Sequence, residues 1–447
     1  MEQLILLISY LEYVFWFILV FTIIVFIHEY GHYFVAKLNG VDVEKFSIGF
    51  GPALFKKIDK NNTIWQICAF PLGGYVKFAG DMYSNNRKND KNIKLFMNKK
   101  PLQKASIVIA GPIANFLLSL VLFIFIFFFF GKNYIKPIVG SIDEDSPAAI
   151  NGILINDKIL SINKIKVDNY NDYYAVIEDT LLSEVSLEIL RKNNVINVKI
   201  IPKHIKVKTF IGSEKKINYL GINPLILPVV GKIVKNSPAN LAGLLGEDRI
   251  IKINGKDIYD ARQIIKIVKN SNNITLNFTV KRDNMLKVIS ITPLDFSENN
   301  VSQIGVTFKK MRVKLDLIDS IKLSIKNISE VTTKTLVAFS EILFGKRDHC
   351  EVGGPILIAK VSNDVANTDM ISFIALIALI SINLGLINLF PLPLLDGGHF
   401  FTYISEFIIG KNINYNFFKA IQVIGVIIIF SFMAFSIIND VYCRILN

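Results

Sequence analysis

Cysteine is scarce in this chain: Cys68, Cys350 and Cys443 are the three among 447 residues. They stand far apart, and none lies at a metal-ligand spacing from another. That excludes a cysteine zinc knot and a small disulfide scaffold, leaves at least one thiol unpaired, and assigns no role to any of the three. Charge is thin as well, at 19% of residues against 51% hydrophobic, which is too oily for one soluble domain of this length. No Lys or Arg precedes Lys37, and no small-residue cleavage site follows the first apolar run, so a removable signal peptide is not expected. The net charge of +13 has no clustered basic helix with interleaved aromatics behind it. It reflects a general richness in Ile, Lys, Asn and Phe, and no nucleic-acid partner is expected.

What the chain does have is long apolar runs, at residues 4–34, 105–130, 371–390 and 417–438, each near the twenty residues a spanning helix needs. The expected fold is a multi-pass α-helical membrane protein with four transmembrane helices and a mixed, soluble-looking middle. Its segments read as a first span over 1–37, a polar stretch over 38–104, a second span over 105–131, a third over 371–400 and a fourth over 415–439. Residues 37–104 carry thirteen Lys and Arg against five Asp and Glu, which places this segment in the cytoplasm and both chain ends outside.

The middle is duplicated. Gly140, Pro147, Gly152, Asp157 and Asn163 recur as Gly231, Pro238, Gly243, Asp248 and Asn254, each 91 residues further on, and Arg191 and Pro202 recur as Arg282 and Pro293. Both copies carry Ser-Pro-Ala, a glycine four residues later, then an aspartate and an Ile-Asn pair, a signature that resembles bacterial PDZ domains. Two inserted PDZ-like α/β domains are therefore expected, over 135–205 and 228–295. Such folds bind extended peptides by strand addition, and neither copy is favoured here as the binder. Asn156 and Glu247 stand where a turn glycine is usual. Asn tolerates the left-handed region, and Gly246 is expected to shift the turn for Glu247. A helix over 314–345 carries a stripe of Ile318, Ile321, Ile325, Ile328 and Val331 with lysines opposite. It is expected to lie on the membrane surface, with an ordinary packed helix as the alternative.

The first apolar run leads into His28, Glu29, Tyr30, Gly31 and His32. Residues four apart share a helix face, so both imidazoles can hold one metal ion while Glu29 addresses its open side. Two imidazoles and a carboxylate at membrane depth are costly unless they bind an ion or line a cavity. A catalytic zinc needs a third protein ligand from elsewhere. The third run breaks at Pro391 and Pro393, with Gly397 and Gly398 permitting sharp turns, and Asp396 in that break is the expected third ligand. His399, beyond the double glycine, is the rival imidazole, while His204 and His349 read as surface residues. Bound zinc would make water a nucleophile near neutral pH, with Glu29 taking its proton and handing it to the leaving amine.

These features resemble the site-two protease family of intramembrane zinc metalloproteases, in its bacterial regulator-of-sigma-E protease branch. The resemblance rests on HEYGH at 28–32, GGYVKFAGD at 73–81, GGPI at 353–356, NLFPLPLLDGG at 388–398 and the duplicated middle. It implies Zn2+ held by His28, His32 and Asp396, Glu29 as catalytic acid and base, and Asn388 as a holder of substrate or its oxyanion. It also implies that the hairpin-like stretch Ile64–Phe78 re-enters the membrane and offers an edge at Gly73 and Gly74 to an unwound substrate. The implied partners are single-pass transmembrane substrates in the lipid bilayer, an anti-sigma factor first and signal-peptide remnants second. The implied place is a bacterial inner membrane, with the PDZ pair on the periplasmic side as a size filter and the active site near the cytoplasmic side. A membrane-anchored PDZ scaffold without catalysis is the alternative; a transporter would need paired breaks in both halves, which this chain lacks.

Overall fold

The computed structural model describes residues 2–80, 94–179, 184–208, 214–294, 302–309, 311–345, 350, 353–411 and 415–443. Two compact units emerge: one from Met1–Gly131 and Lys314–Asn447, the other from Lys132–Phe210 and Glu214–Val313. His349 lies outside the described residues, and His204 is exposed.

The first unit is built on long apolar helices. Among the described residues, four are long and apolar enough to cross a membrane: Leu11–Leu38, Pro101–Phe130, Met370–Asn388 and Gln422–Val441. They belong to α1 (Glu2–Leu38), α2 (Pro101–Phe125, continued by a π-helical turn Ile126–Phe130), α9 (Met370–Asn388) and α11 (Tyr415–Val441). Helix α2 packs against α1, α9 and α10 (Asp396–Ile409). Ala36, Phe96, Ile107 and Tyr403 form one buried cluster, and Val20, Ile24, Phe373 and Ile377 another.

Helix α7 (Leu317–Leu343) packs against α2 and α9. Ile328 and Val331 pack against the Phe123, Ile126, Ala378 and Ile382 cluster, but Ile318 and Ile325 point outward. Its buried side instead carries Ser320 and Ser324, both fully buried, with Ser324 Oγ donating to the Ser320 carbonyl. Small residues permit close helix contact, and the apolar stripe divides between packed and outward-facing positions.

The stretch Ile64–Phe78 is not a hairpin closed on itself. Strand β2 (Ile64–Phe78) pairs antiparallel with β1 (Val43–Ile58) so that Phe46 opposes both Trp65 and Val76, and Lys57 opposes Trp65 as well. Both chains bend, giving four short segments in the order 53–58, 64–68, 43–48 and 74–78. Among the described residues, no strand pairs with the outer side of segment 74–78.

The cysteines carry more than the sequence assigned them. Cys350 and Cys443 are joined by a disulfide with Cα atoms 5.7 Å apart, and buried Cys68 is the free thiol. The bridge ties the end of α11 to the start of α8 (Pro355–Thr368). Beside it, fully buried Asp440 of α11 accepts from the Gly354, Ile356 and Leu357 N–H groups at 2.9, 3.0 and 3.2 Å. Helix α8 has no side-chain cap of its own, so a carboxylate from another helix satisfies its first donors.

The second unit repeats one arrangement at the 91-residue spacing. Ser146 caps α3 (Pro147–Ile150) and Ser237 caps α5 (Pro238–Leu241), each with proline at the first helical position. Strands Lys158–Ile162, Val185–Arg191 and Asn194–Ile200 pair in the same order as Arg249–Ile253, Leu276–Arg282 and Met285–Ile291. In each copy a buried aspartate receives a bidentate arginine. Arg191 Nε and Nη2 reach Asp157 at 2.8 and 2.7 Å, and Arg282 reaches Asp248 at 2.7 and 2.6 Å. Glu247 itself takes the left-handed turn, at φ 70°, as Asn156 does at φ 72°; Gly246 does not relieve it. The Glu247 side chain is held outward by Lys309 Nζ at 2.6 Å.

The copies differ where a helix faces the closing strand. At the start of α4 (Tyr170–Asp179), the fully buried Tyr170 donates its hydroxyl to the Ile222 carbonyl at 2.7 Å. Ala261 stands at the corresponding place, the start of α6 (Ala261–Lys269).

Candidate metal centre

Within the first unit, one cavity of about 440 Å³ is lined by His28, Glu29, His32, Gly73, Gly74, Asn388, Asp396 and His399. Helix geometry supplies the first three. His28 and His32 lie one turn apart on α1, 7% and 8% exposed, with their Nε2 atoms 3.3 Å apart. Asp396 arrives from the break between α9 and α10. Pro391 and Pro393 hold residues 389–395 out of the helical ladder, and α10 restarts at Asp396. Gly397 and Gly398 act differently from the expected sharp turns, since both are helical. A Cβ on either would collide with the backbone at Leu389 and Phe390 or at Leu392 and Pro393, so they allow α10 to fold closely onto the break.

Asp396 Oδ2 lies 3.0 Å from His28 Nε2 and 3.3 Å from His32 Nε2. It is buried and makes no hydrogen bond. Tetrahedral zinc with arms near 2.0–2.1 Å spaces its ligand atoms about 3.3 Å apart, so this donor set fits the ion. These three are the one group of potential ligands that converges among the described residues. His399 lines the cavity, so it does not face away, but it is not a member of that group. Asn388 places its carboxamide 3.4 Å from His28 Nε2.

Glu29 is 9% exposed and faces the same cavity as Gly73, Gly74 and Val76 of the small sheet. The chain must pass close here. A Cβ on Gly74 would sit 2.8 Å from the Ser47 carbonyl and 3.0 Å from Glu29 Cγ. Gly73, at φ 117°, lies against the Phe50 ring.

Three residues on α2 complete the surroundings, and sequence reasoning did not single them out. His32 Nδ1 donates to the Ile107 carbonyl at 2.9 Å. Asn115 meets His28 Nδ1 at 3.2 Å, and a Cβ on Gly111 would collide with the His32 imidazole. The available signal was an asparagine inside an otherwise apolar run, which at membrane depth needs a partner.

Three potential metal donors with a carboxylate beside them, lining one cavity, are the arrangement that a hydrolytic metal centre uses. Residues 16–432 match peptidase family M50. The chain is 30% identical to a regulator of sigma E protease from Haemophilus influenzae over 446 residues, covering 95% of this chain and 97% of the relative. It is also 30% identical to the regulator of sigma-E protease of Escherichia coli K12 over 442 residues, with the same coverages. A solved PDZ domain of an SdrC-like protein from Listeria monocytogenes aligns at 18% identity and TM-score 0.17, covering 19% of this chain and 86% of that domain. The chain belongs to peptidase family M50, and it is a zinc metalloprotease.

Proposed function

We propose that this metalloprotease cuts peptide bonds inside the membrane-spanning segments of single-pass proteins, with the four apolar helices in the bilayer. The observation that carries the reading is the joining of His28, His32 and Asp396 with Glu29 in one cavity among those helices, beside a sheet edge that has no strand partner among the described residues. Zinc, when bound by His28, His32 and Asp396, supplies Lewis acidity that polarises the scissile carbonyl and readies water for attack. Glu29 takes the proton of the attacking water and returns it to the leaving amine. Asn388 donates its amide toward the oxygen that gains charge. A helical substrate has its peptide groups engaged, so it must be unwound before attack. Segment 74–78 offers main-chain groups for pairing with the extended strand that results.

An anti-sigma factor with one span is the substrate to which the resemblance and the relatives' names point, with signal-peptide remnants second. The duplicated unit serves as a PDZ pair outside the membrane that withholds the site from substrates still carrying folded domains. The test is cleavage of a purified single-span protein in liposomes. Loss of cleavage on chelation and its return with zinc supports the reading; cleavage unaffected by chelation sinks it.

Sidedness has support independent of lysine counts. A disulfide persists in an oxidising compartment, so Cys350 and Cys443 belong on the outer face, opposite the basic segment 37–104. In membranes, both thiols should resist maleimide until reduced, then react with an impermeant maleimide added from outside. Reaction without reductant, or from the cytoplasmic face alone, contradicts this orientation.

A further inference from the structure

Asn115 is fully buried on α2 and has no part in the chemistry above. Its main chain is fixed, because Ser381 Oγ of α9 donates to its carbonyl at 2.9 Å. Its carboxamide lies 3.2 Å from His28 Nδ1, while its Oδ1 is buried with no hydrogen-bond partner. The two ends of a carboxamide have nearly the same shape, and hydrogen bonding decides which faces a neighbour.

The metal centre imposes that decision. A neutral imidazole carries one ring proton, and a nitrogen that holds a metal must be bare. For His32 the matter is settled by a group that only accepts: the Ile107 carbonyl, 2.9 Å from Nδ1, takes the proton there and leaves Nε2 bare. His28 presents Nε2 to Asp396 in the same way, so its Nδ1 must carry the proton and needs an acceptor. With Nδ2 facing the ring, the proton is forced onto Nε2, into the 3.0 Å space between His28 and Asp396 where the metal belongs.

We propose that Asn115 is the positioning residue of His28: in the zinc-loaded protein its Oδ1 accepts the Nδ1 proton and fixes the tautomer whose Nε2 is bare. Helix α2 then supplies the acceptor for both metal-binding imidazoles, a main-chain carbonyl for His32 and a side chain for His28. This inference rests on the zinc reading of His28, His32 and Asp396.

The experiment is zinc affinity by chelator competition on the detergent-purified full chain, independent of peptidase activity. Asn115→Leu, similar in size but without an acceptor, should weaken zinc binding about 10–100-fold. Asn115→Asp, which accepts at either oxygen, should restore the parental affinity. Parental affinity in Asn115→Leu overturns the proposal, as does an Asn115→Asp protein that binds as poorly as Asn115→Leu, since that is the outcome of a donor role. Nitrogen NMR of the histidine-labelled, zinc-loaded parent does not depend on how the variants fold. A protonated His28 Nδ1 is expected, and a bare one overturns the proposal. His28→Ala separates the two layers: if it keeps parental affinity, the zinc site is wrongly placed, which is a different failure from a wrong role for Asn115.

Discussion

Asp396→Asn should purify with little or no zinc. The substitution preserves the shape of the side chain and removes its charge, so it tests the ligand role rather than packing. In the parent, Oδ2 is buried 3.0 and 3.3 Å from two imidazole nitrogens and makes no hydrogen bond, an arrangement that a cation between them satisfies. A neutral amide gives weaker coordination and removes one of the negative charges that offset the ion among apolar helices. Because losing even an outer partner of a metal ligand costs 10–100-fold, zinc affinity should fall by at least about 100-fold, with hydrolysis lost alongside. Metal content after dialysis against a weak chelator reads this directly. Parental zinc in Asp396→Asn would remove the carboxylate from the site and turn attention to His399, which lines the same cavity.

Glu29→Gln should do the opposite to metal and the same to activity. Glutamine keeps the length and shape of the side chain, and Glu29 is not one of the three converging donors, so zinc should stay bound. What disappears is the base that takes the proton from water and the acid that returns it, worth roughly 10²–10⁴-fold in rate. Metal content and turnover measured on one preparation check both halves. The pairing also decides against a membrane-anchored scaffold, whose function Glu29→Gln would leave untouched. A variant that keeps zinc and loses no turnover would assign proton transfer elsewhere.

The parts of this site that follow from local periodicity were legible before the fold was known. Helical spacing alone puts His28 and His32 on one face, and two prolines in an apolar run mark a break at Asp396. The duplication was equally plain in the recurring Asp157 and Asp248 and the recurring Arg191 and Arg282, while the pairing of each arginine with its aspartate came only with the fold. The missed features depend on what a residue meets across the fold. The cysteine bridge spans a separation of 93 residues, which no spacing rule reaches. Asn115 gains meaning only from His28, which lies 87 residues away in sequence and beside it in the fold. The burial of Ser320 and Ser324 on α7 is likewise passed over by a count of apolar residues. Glu247 adopts a backbone conformation that residue type argues against, with Lys309 holding its side chain.

An intramembrane protease differs from other metalloproteases in where it cuts the chain. The decisive measurement is mass spectrometry of the products when the zinc-loaded protein acts on a purified single-span substrate in liposomes. New termini are expected inside the apolar segment, at residues that disfavour helix, and none from Glu29→Gln. Termini confined to the polar flanks, or the same internal termini from Glu29→Gln, would contradict that expectation.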